Sequence, residues 1–149
     1  MQIRRARRED VAALVALYAD DFLGAGREHP RRLGGYLAAF EVIDADANHE
    51  LMVAEDEGGA VVGTFQLTFI THLSHGGSKV AEIEAVRVAA AVRGRGVGAE
   101  MMRWAIGRAR EAGCRRVQLT SHGQRVDAHR FYERLGFVAS HVGMKLELG

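Results

Sequence analysis

The stretch Arg93-Gly94-Arg95-Gly96-Val97-Gly98 has the residue types and spacing to hold a phosphate. Glycines let a backbone turn sharply and come close to a ligand. The free N–H groups at a helix start, together with the positive end of its dipole, bind anionic oxygens. Arg93 and Arg95 add permanent charge and forked donors. If a helix starts near Gly96, the N–H groups from Arg95 to Ala99 form a pyrophosphate cradle. The bland alternative is a glycine turn that only closes a strand against a helix. No Gly-Lys-Ser or Gly-Lys-Thr follows, which removes the common triphosphatase reading. Gly94, Gly96 and Ala99 loosely fit a dinucleotide fingerprint, but the chain is too short for two mononucleotide halves and no acid closes the strand Val117 to Thr120.

A second group of residues suits proton transfer. Glu82 and Glu84 lie two apart in a β-rich run, so their side chains share one strand face. A free amine has a pKa of ~10 and must lose a proton before it attacks a carbonyl, a task for a carboxylate acting directly or through water. The competing reading is a solvated strand face. Tyr132 follows Phe131 on a helical stretch, where such a pair on its own reads first as core packing. The histidines, among them His72, His75, His122, His129 and His141, match no ligand spacing, and no metal is expected.

The elements that must position these groups follow from periodicity. Gln2 to Arg5 reads as a strand, and Val11, Leu14, Val15, Tyr18 and Phe22 mark a helix over Arg8 to Leu23 ended by Gly24 and Gly26. Leu33, Tyr36, Leu37 and Phe40 suggest a second helix after Pro30. Glu50 to Glu55 and Ala60 to Ile70 flank a hairpin turn at Asp56-Glu57-Gly58-Gly59, and Lys79 to Val88 is the next strand. From Gly96 to Gly113 the period shifts to about 3.6 through Met101, Met102, Ala105, Ile106 and Ala109. Val117 to Thr120 is a buried strand, Asp127 caps a helix through Leu135, and Phe137 to Leu148 returns as a strand. The order βααβββαβαβ is that of a mixed α/β (α+β) layer fold, and with 149 residues it fills one domain, 1–149.

A formal charge of only +1 announces neither nucleic acid nor an acidic membrane, and the arginines Arg103, Arg108, Arg110, Arg115 and Arg116 read as a solvated helix face and turn. The single cysteine, Cys114, has no partner and reads as a structural thiol in a reducing, cytoplasmic compartment. No apolar run approaches the ~20 residues of a membrane span.

Arg93, Gly96 and Gly98 match the Arg/Gln-x-x-Gly-x-Gly/Ala signature, and Ala128, Phe131, Tyr132, Gly136 and Phe137 a second motif, of the GCN5-related N-acetyltransferase (GNAT) superfamily, which the chain resembles over nearly its whole length. Ala90 stands where many members have proline, and Arg125 where many have asparagine. The segments His72, His75, Glu82-Ile83, Arg125 to Tyr132 and Ser140-His141 look similar to aminoalkylphosphonate N-acetyltransferases. The resemblance implies a mostly antiparallel sheet with a splayed central strand pair and acetyl-CoA as cosubstrate. The coenzyme would be held by Val86, Arg87, Val88, Arg93, Gly94, Arg95, Gly96, Val97, Gly98 and Ala99.

It further implies direct acetyl transfer without a covalent enzyme intermediate. Either Glu82 or Glu84 would be the base, Tyr132 the acid that protonates the leaving thiolate, and a backbone N–H on Glu84 to Val88 the oxyanion donor. Relatives of the phosphonate type leave room for a divalent ion bridging the acceptor. The expected acceptor is a small primary amine, with no nucleic-acid or membrane partner, and the resemblance allows a homodimer that the sequence itself does not specify. Two other readings stand beside it. One is a protein N-terminal or lysine acetyltransferase, which needs an open groove beside the strand after Gly136. The other is an acetyl-CoA sensor without catalysis, against which Tyr132 and the two glutamates argue.

Overall fold

The structure, a computed structural model, describes residues 1–149 except Phe22 and Gln124. Its elements run β1 (Gln2–Arg5), a 3₁₀ turn (Arg8–Asp10), α1 (Val11–Ala19), α2 (Gly34–Ala45), β2 (His49–Glu55), β3 (Val61–Thr71), a one-turn α3 (Ser74–Gly77), β4 (Lys79–Val88), a 3₁₀ turn (Ala90–Val92), α4 (Val97–Glu111), β5 (Arg116–Leu119) and α5 (Val126–Arg134). The strands form one sheet in the order β1-β2-β3-β4-β5. Every pairing is antiparallel except β4 with β5.

The sheet is covered on both faces because its strands alternate two apolar sets. Met52, Ala54, Phe65, Leu67, Phe69, Ala81 and Ile83 face α4, whose Met101, Met102, Ala105 and Ala109 are buried against them. Phe131, Tyr132, Leu135 and Phe137 extend this layer from α5. Leu51 and Val53, one residue out of phase, face α1 and α2 and pack with Val11, Leu14, Val15 and Phe40. Burying a side chain such as Leu67 or Ile83 fully contributes about 1.5–3 kcal/mol, so these two layers fix the sheet that carries the site. Three ion pairs clamp its rim: Arg4 bridges Asp10 and Glu55 at 2.8 Å each, and Arg108 reaches buried Glu50 at 2.6 Å.

Three expectations are corrected. The first helix stops at Ala19 instead of reaching Leu23: Asp20 leaves helical geometry and the Asp21 carboxylate accepts the Leu23 N–H at 3.1 Å, an Asx turn that competes with the helix. Phe22, part of the expected apolar stripe, lies outside the described residues. Asp127 does not cap the last helix; Arg125 holds that position, and Asp127 sits in the first turn, where a carboxylate still favours the positive helix end. The segment after Gly136 forms no strand among the described residues. A strand exists only when an edge satisfies its backbone groups, and this segment has alternation but no ladder partner.

Candidate active site

The glycine turn lies where the sequence places it, between the end of β4 and the first turn of α4. Gly94 takes a φ of 80° and Gly96 a φ of 82°, a left-handed region that side chains avoid. No atom lies within 4 Å of where either Cβ would point. The turn is thus an open backbone concavity at the N-terminus of a 15-residue helix, which suits a coenzyme pyrophosphate. Val97, Gly98 and Ala99 supply first-turn N–H groups that no preceding helical carbonyl can accept. Arg95 differs from the expectation: its N–H is engaged by the Val92 carbonyl at 3.3 Å, although its side chain stays exposed. Arg93 also turns away from the cradle. Its guanidinium reaches the carbonyls of Val88 and Asp20, each at 3.3 Å, and ties the turn to the end of α1. Gly98 also serves packing: a Cβ there would stand 3.3 Å from Phe131 Cζ, so a larger residue would push α5 off α4.

The splay expected between the central strands is present. β4 and β5 pair from Val80–Arg116 to Ile83–Leu119, and beyond that β4 runs on through Val88 beside β3 alone. Its other edge, from Glu84 to Val88, therefore offers backbone groups to a ligand.

A feature absent from the sequence reading sits at the same place. Gln66 pairs with Glu84 and Thr64 with Arg87, so Ala85 and Val86 together oppose Phe65, a β-bulge with Ala85 at a φ of 53°. A non-glycine residue in that region carries strain of ~1–3 kcal/mol, the kind that collects at functional sites. The extra residue resets the alternation. Val86 and Val88 now face the α4–α5 layer, whereas Arg87 projects to the α1–α2 face. Arg87 thus leaves the expected coenzyme set by its side chain, though its backbone stays on the open edge.

Glu82 and Glu84 share the α1–α2 face as their spacing requires, opposite Thr68 and Gln66 respectively. Glu84 is exposed and next to the bulge; Glu82 is half-buried. Tyr132 is held from both sides by edge-on ring contacts. Its ring centroid lies 5.1 Å from that of Phe131 and 5.8 Å from that of Phe137. Burial pushes its hydroxyl pKa above the usual tyrosine value, against the pull of Arg125 and Arg87. The group stays protonated at neutral pH, the state a proton donor needs.

On the α1–α2 face the bulge opens into a cavity of about 260 Å³. Its floor is apolar, with Val15, Phe40 and Leu51, and its polar lining includes Tyr18, Arg27, Glu28, Tyr36, Gln66 and Arg87. Glu28 accepts hydrogen bonds from Tyr36 at 2.9 Å and Arg27 at 2.8 Å. Burial disfavours its charge, but Arg27, Tyr36 and Arg87 outweigh that and hold the carboxyl below the usual range.

Beside the cavity Asp21 is nearly buried, 3.3 Å from Arg87 Nε and 3.7 Å from Arg125 Nη1. Burial opposes its charge as well. The Leu23 N–H and the guanidinium groups of Arg125, Arg87 and Arg27 prevail and lower its pKa. Asp21 thereby joins the end of α1, the bulged strand and the start of α5. The sequence reading missed Asp21, Glu28 and Tyr36 as site residues, because no motif in their stretches signals the partners they meet. Among the described residues no group of three or more His, Cys, Asp or Glu is arranged to hold a metal ion, and no helix is long and apolar enough to cross a membrane.

Comparison with known proteins agrees with this geometry. The model of the acetyltransferase (GNAT) family matches residues 11–137. An aminoalkylphosphonate N-acetyltransferase of Salmonella typhimurium is 31% identical over 140 residues, covering 94% of this chain and 86% of the relative. A crystal structure from Bacillus halodurans, described as a transcriptional regulator, is 46% identical with a TM-score of 0.93 over 99% of both chains. A glucosamine-6-phosphate N-acetyltransferase from Arabidopsis thaliana shares the fold at 20% identity, with a TM-score of 0.82 over 99% of this chain and 98% of its own. Glycine-rich turn, splayed strands and sheet topology thus meet in a chain that belongs to the acetyltransferase (GNAT) family, an N-acetyltransferase with acetyl-CoA as cosubstrate.

Proposed function

We propose that this chain acetylates the primary amine of a small molecule that also carries an anionic group, by direct transfer. The observation that carries the reading is the cavity at the Ala85 bulge, which is small and lined by the cations Arg27 and Arg87. At about 260 Å³ it lies below the ~300–1,000 Å³ of drug-sized pockets and suits a compact acceptor better than a peptide. A guanidinium pair in a partly desolvated wall favours a phosphonate, phosphate or carboxylate. The Salmonella relative, by its name, acts on an aminoalkylphosphonate.

Acetyl-CoA, when bound, supplies an acetyl thioester, and the first turn of α4 holds its pyrophosphate. Glu84, beside the bulge, takes the proton of the acceptor ammonium directly or through water, with Glu82 as the second carboxylate on that face. Backbone N–H groups on the unpaired edge of β4 donate to the carbonyl oxygen as negative charge develops on it. As the C–N bond forms and the C–S bond breaks, Tyr132 gives its hydroxyl proton to the departing sulfur and is restored by the second proton that the acetylated nitrogen sheds. The near-neutral charge of the chain argues against nucleic acid as a partner, since phosphate-backbone binding rests on clustered cations.

The test is a mass-spectrometric assay with acetyl-CoA and a panel of aminoalkylphosphonates, amino acids, uncharged alkylamines and peptides. The expected result is N-acetylation of anionic small amines with kcat/KM at least ~10-fold above uncharged amines of equal length. Acetylation confined to peptide N-termini or lysines would overturn the reading.

A further inference from the structure

Arg125 is out of place for folding alone. It is the N-cap of α5, a position that favours Ser, Thr, Asp or Asn because their side-chain oxygens accept the free N–H groups of the first turn. A guanidinium accepts no hydrogen bond, and Arg125 makes no side-chain cap. Its charge also stands at the positive end of the helix dipole, where a cation is disfavoured. The backbone of α5 is regular there, for the Arg125 carbonyl accepts the His129 N–H at 3.1 Å. The side chain at this position therefore answers to something other than helix stability.

Its surroundings add a second cost. Asp21 holds Arg125 Nη1 at 3.7 Å and shares the same carboxylate oxygen with Arg87 Nε at 3.3 Å. Arg27, the third guanidinium nearby, has a carboxylate of its own in Glu28 at 2.8 Å. Two guanidinium groups thus divide one carboxylate and keep one uncompensated positive charge among largely buried side chains. The strain is visible on Arg87, whose pKa is pushed down by burial and next by Arg125. Arg87 lines the acceptor cavity and Arg125 does not, so the spare charge is carried at α5 and not at the acceptor.

What α5 places on the same face is Tyr132, two helical turns further on. Helical side chains lean toward the N-terminus, so the ring extends back over the turn that precedes it, in the direction of Arg125. Edge-on contacts with Phe131 and Phe137 fix that ring. Two elements bring charge to its hydroxyl: Arg125 at the start of α5 first, Arg87 on β4 second, both favouring the ionised form against burial, while Asp21 after α1 is the anion bound to both. We infer that Arg125 is a positioning residue for the proton donor, held by Asp21 so that its charge stabilises the phenolate that Tyr132 becomes when its proton passes to the departing sulfur. The inference rests on the proposed role of Tyr132 as the acid and goes beyond it. As the C–S electron pair leaves with sulfur and takes the phenolic proton, the negative charge moves to the Tyr132 oxygen, where Arg125 meets it without reorganising. The proton shed by the acetylated nitrogen then restores the phenol.

Arg125→Met keeps most of the side chain's length and removes its charge, whereas Arg125→Lys keeps the charge. With acetyl-CoA, kcat of Arg125→Met falls by ~10-fold or more at little-changed KM for the coenzyme, and Arg125→Lys retains most of the wild-type rate. The loss requires the hydroxyl: in a Tyr132→Phe background Arg125→Met lowers kcat by no more than ~2-fold further. A near-ultraviolet titration of phenolate absorbance, referenced to Tyr132→Phe to remove the signals of Tyr18 and Tyr36, shows the Tyr132 hydroxyl ionising at higher pH in Arg125→Met than in wild type. Wild-type kcat in Arg125→Met beside an impaired Tyr132→Phe overturns this inference and leaves the acid in place. Equal losses from Arg125→Met with and without the Tyr132 hydroxyl also overturn it, since a structural role acts in both backgrounds, and so does an unshifted Tyr132 titration. A fully active Tyr132→Phe overturns the acid reading itself and this inference with it.

Discussion

Replacing Asp21 with asparagine tests whether the ion cluster beside the cavity holds the site together. At an effective dielectric of ~20, charges separated by the 3.3 Å to Arg87 and 3.7 Å to Arg125 attract by about 5 and about 4.5 kcal/mol. Desolvation offsets several kcal/mol of that sum. Neither Asp21 Oδ2 nor Arg87 Nε makes a hydrogen bond of good geometry, which reduces the pair further. The net expectation for Asp21→Asn is a loss of ~2–4 kcal/mol, with a fall in Tm of roughly 5–15 °C for a domain of this size.

The pH dependence of that loss has a definite sign. The folded-state pKa of Asp21 is depressed, so its contribution is fully present above the unfolded carboxylate value of ~3.9 and disappears as pH falls through the folded value. Urea melts should therefore show wild type and Asp21→Asn separated by a constant gap from about pH 5 to 8 and converging below pH ~4. Arg87→Met alone should also destabilise. The double variant should cost less than the two singles together, by ~1–3 kcal/mol, because it removes both buried charges. A gap under ~0.5 kcal/mol at neutral pH, or strict additivity in the cycle, would refute the reasoning.

Two further expectations concern the chemistry. Tyr132→Phe keeps both edge-on ring contacts and should leave stability within ~1 kcal/mol while kcat falls by ~10²-fold or more; equal losses with a donor whose thiol leaves without a proton would make Tyr132 a packing residue. Glu84→Gln should lower kcat/KM by ~10²-fold and remove the acid limb of its pH profile, leaving coenzyme affinity unchanged by calorimetry, and wild-type profiles in both Glu84→Gln and Glu82→Gln would exclude a carboxylate base.

Local signals in the sequence were enough for much of this structure. The span of β4, the hairpin turn at Asp56 to Gly59 and the helix from Val97 are written in alternation, glycine placement and a 3.6 period, which neighbouring residues set by themselves. The glycine turn at the start of α4 was legible for the same reason. Asp21, Arg87 and Arg125 were not, since their contact depends on three elements meeting in space and none of the three residue types is unusual on a surface. Asp21 also ended α1 early, because a carboxylate that bonds the N–H two residues on competes with an apolar stripe that otherwise continues. The alternation after Gly136 predicts a strand that the described residues do not form, because pairing requires an edge and periodicity within one segment does not supply one.

The bulge at Ala85 acts on β4 as a single inserted letter acts on a reading frame. Upstream of it, every second side chain from Lys79 onward belongs to one face; downstream the assignment is inverted, so Glu84 and Arg87 share the α1–α2 face although they are three positions apart, and Arg87 reaches the cavity. Deleting Ala85 would leave a regular strand in which Glu84 and Arg87, now two apart, still share that face, whereas a strand that kept every residue and lost the bulge would fall out of frame. Arg87 would then point into the layer between the sheet and α4, and Val86 and Val88 would move into the cavity. Losing the bulge without losing its extra residue is therefore the change that would redraw the pocket while the sheet persists.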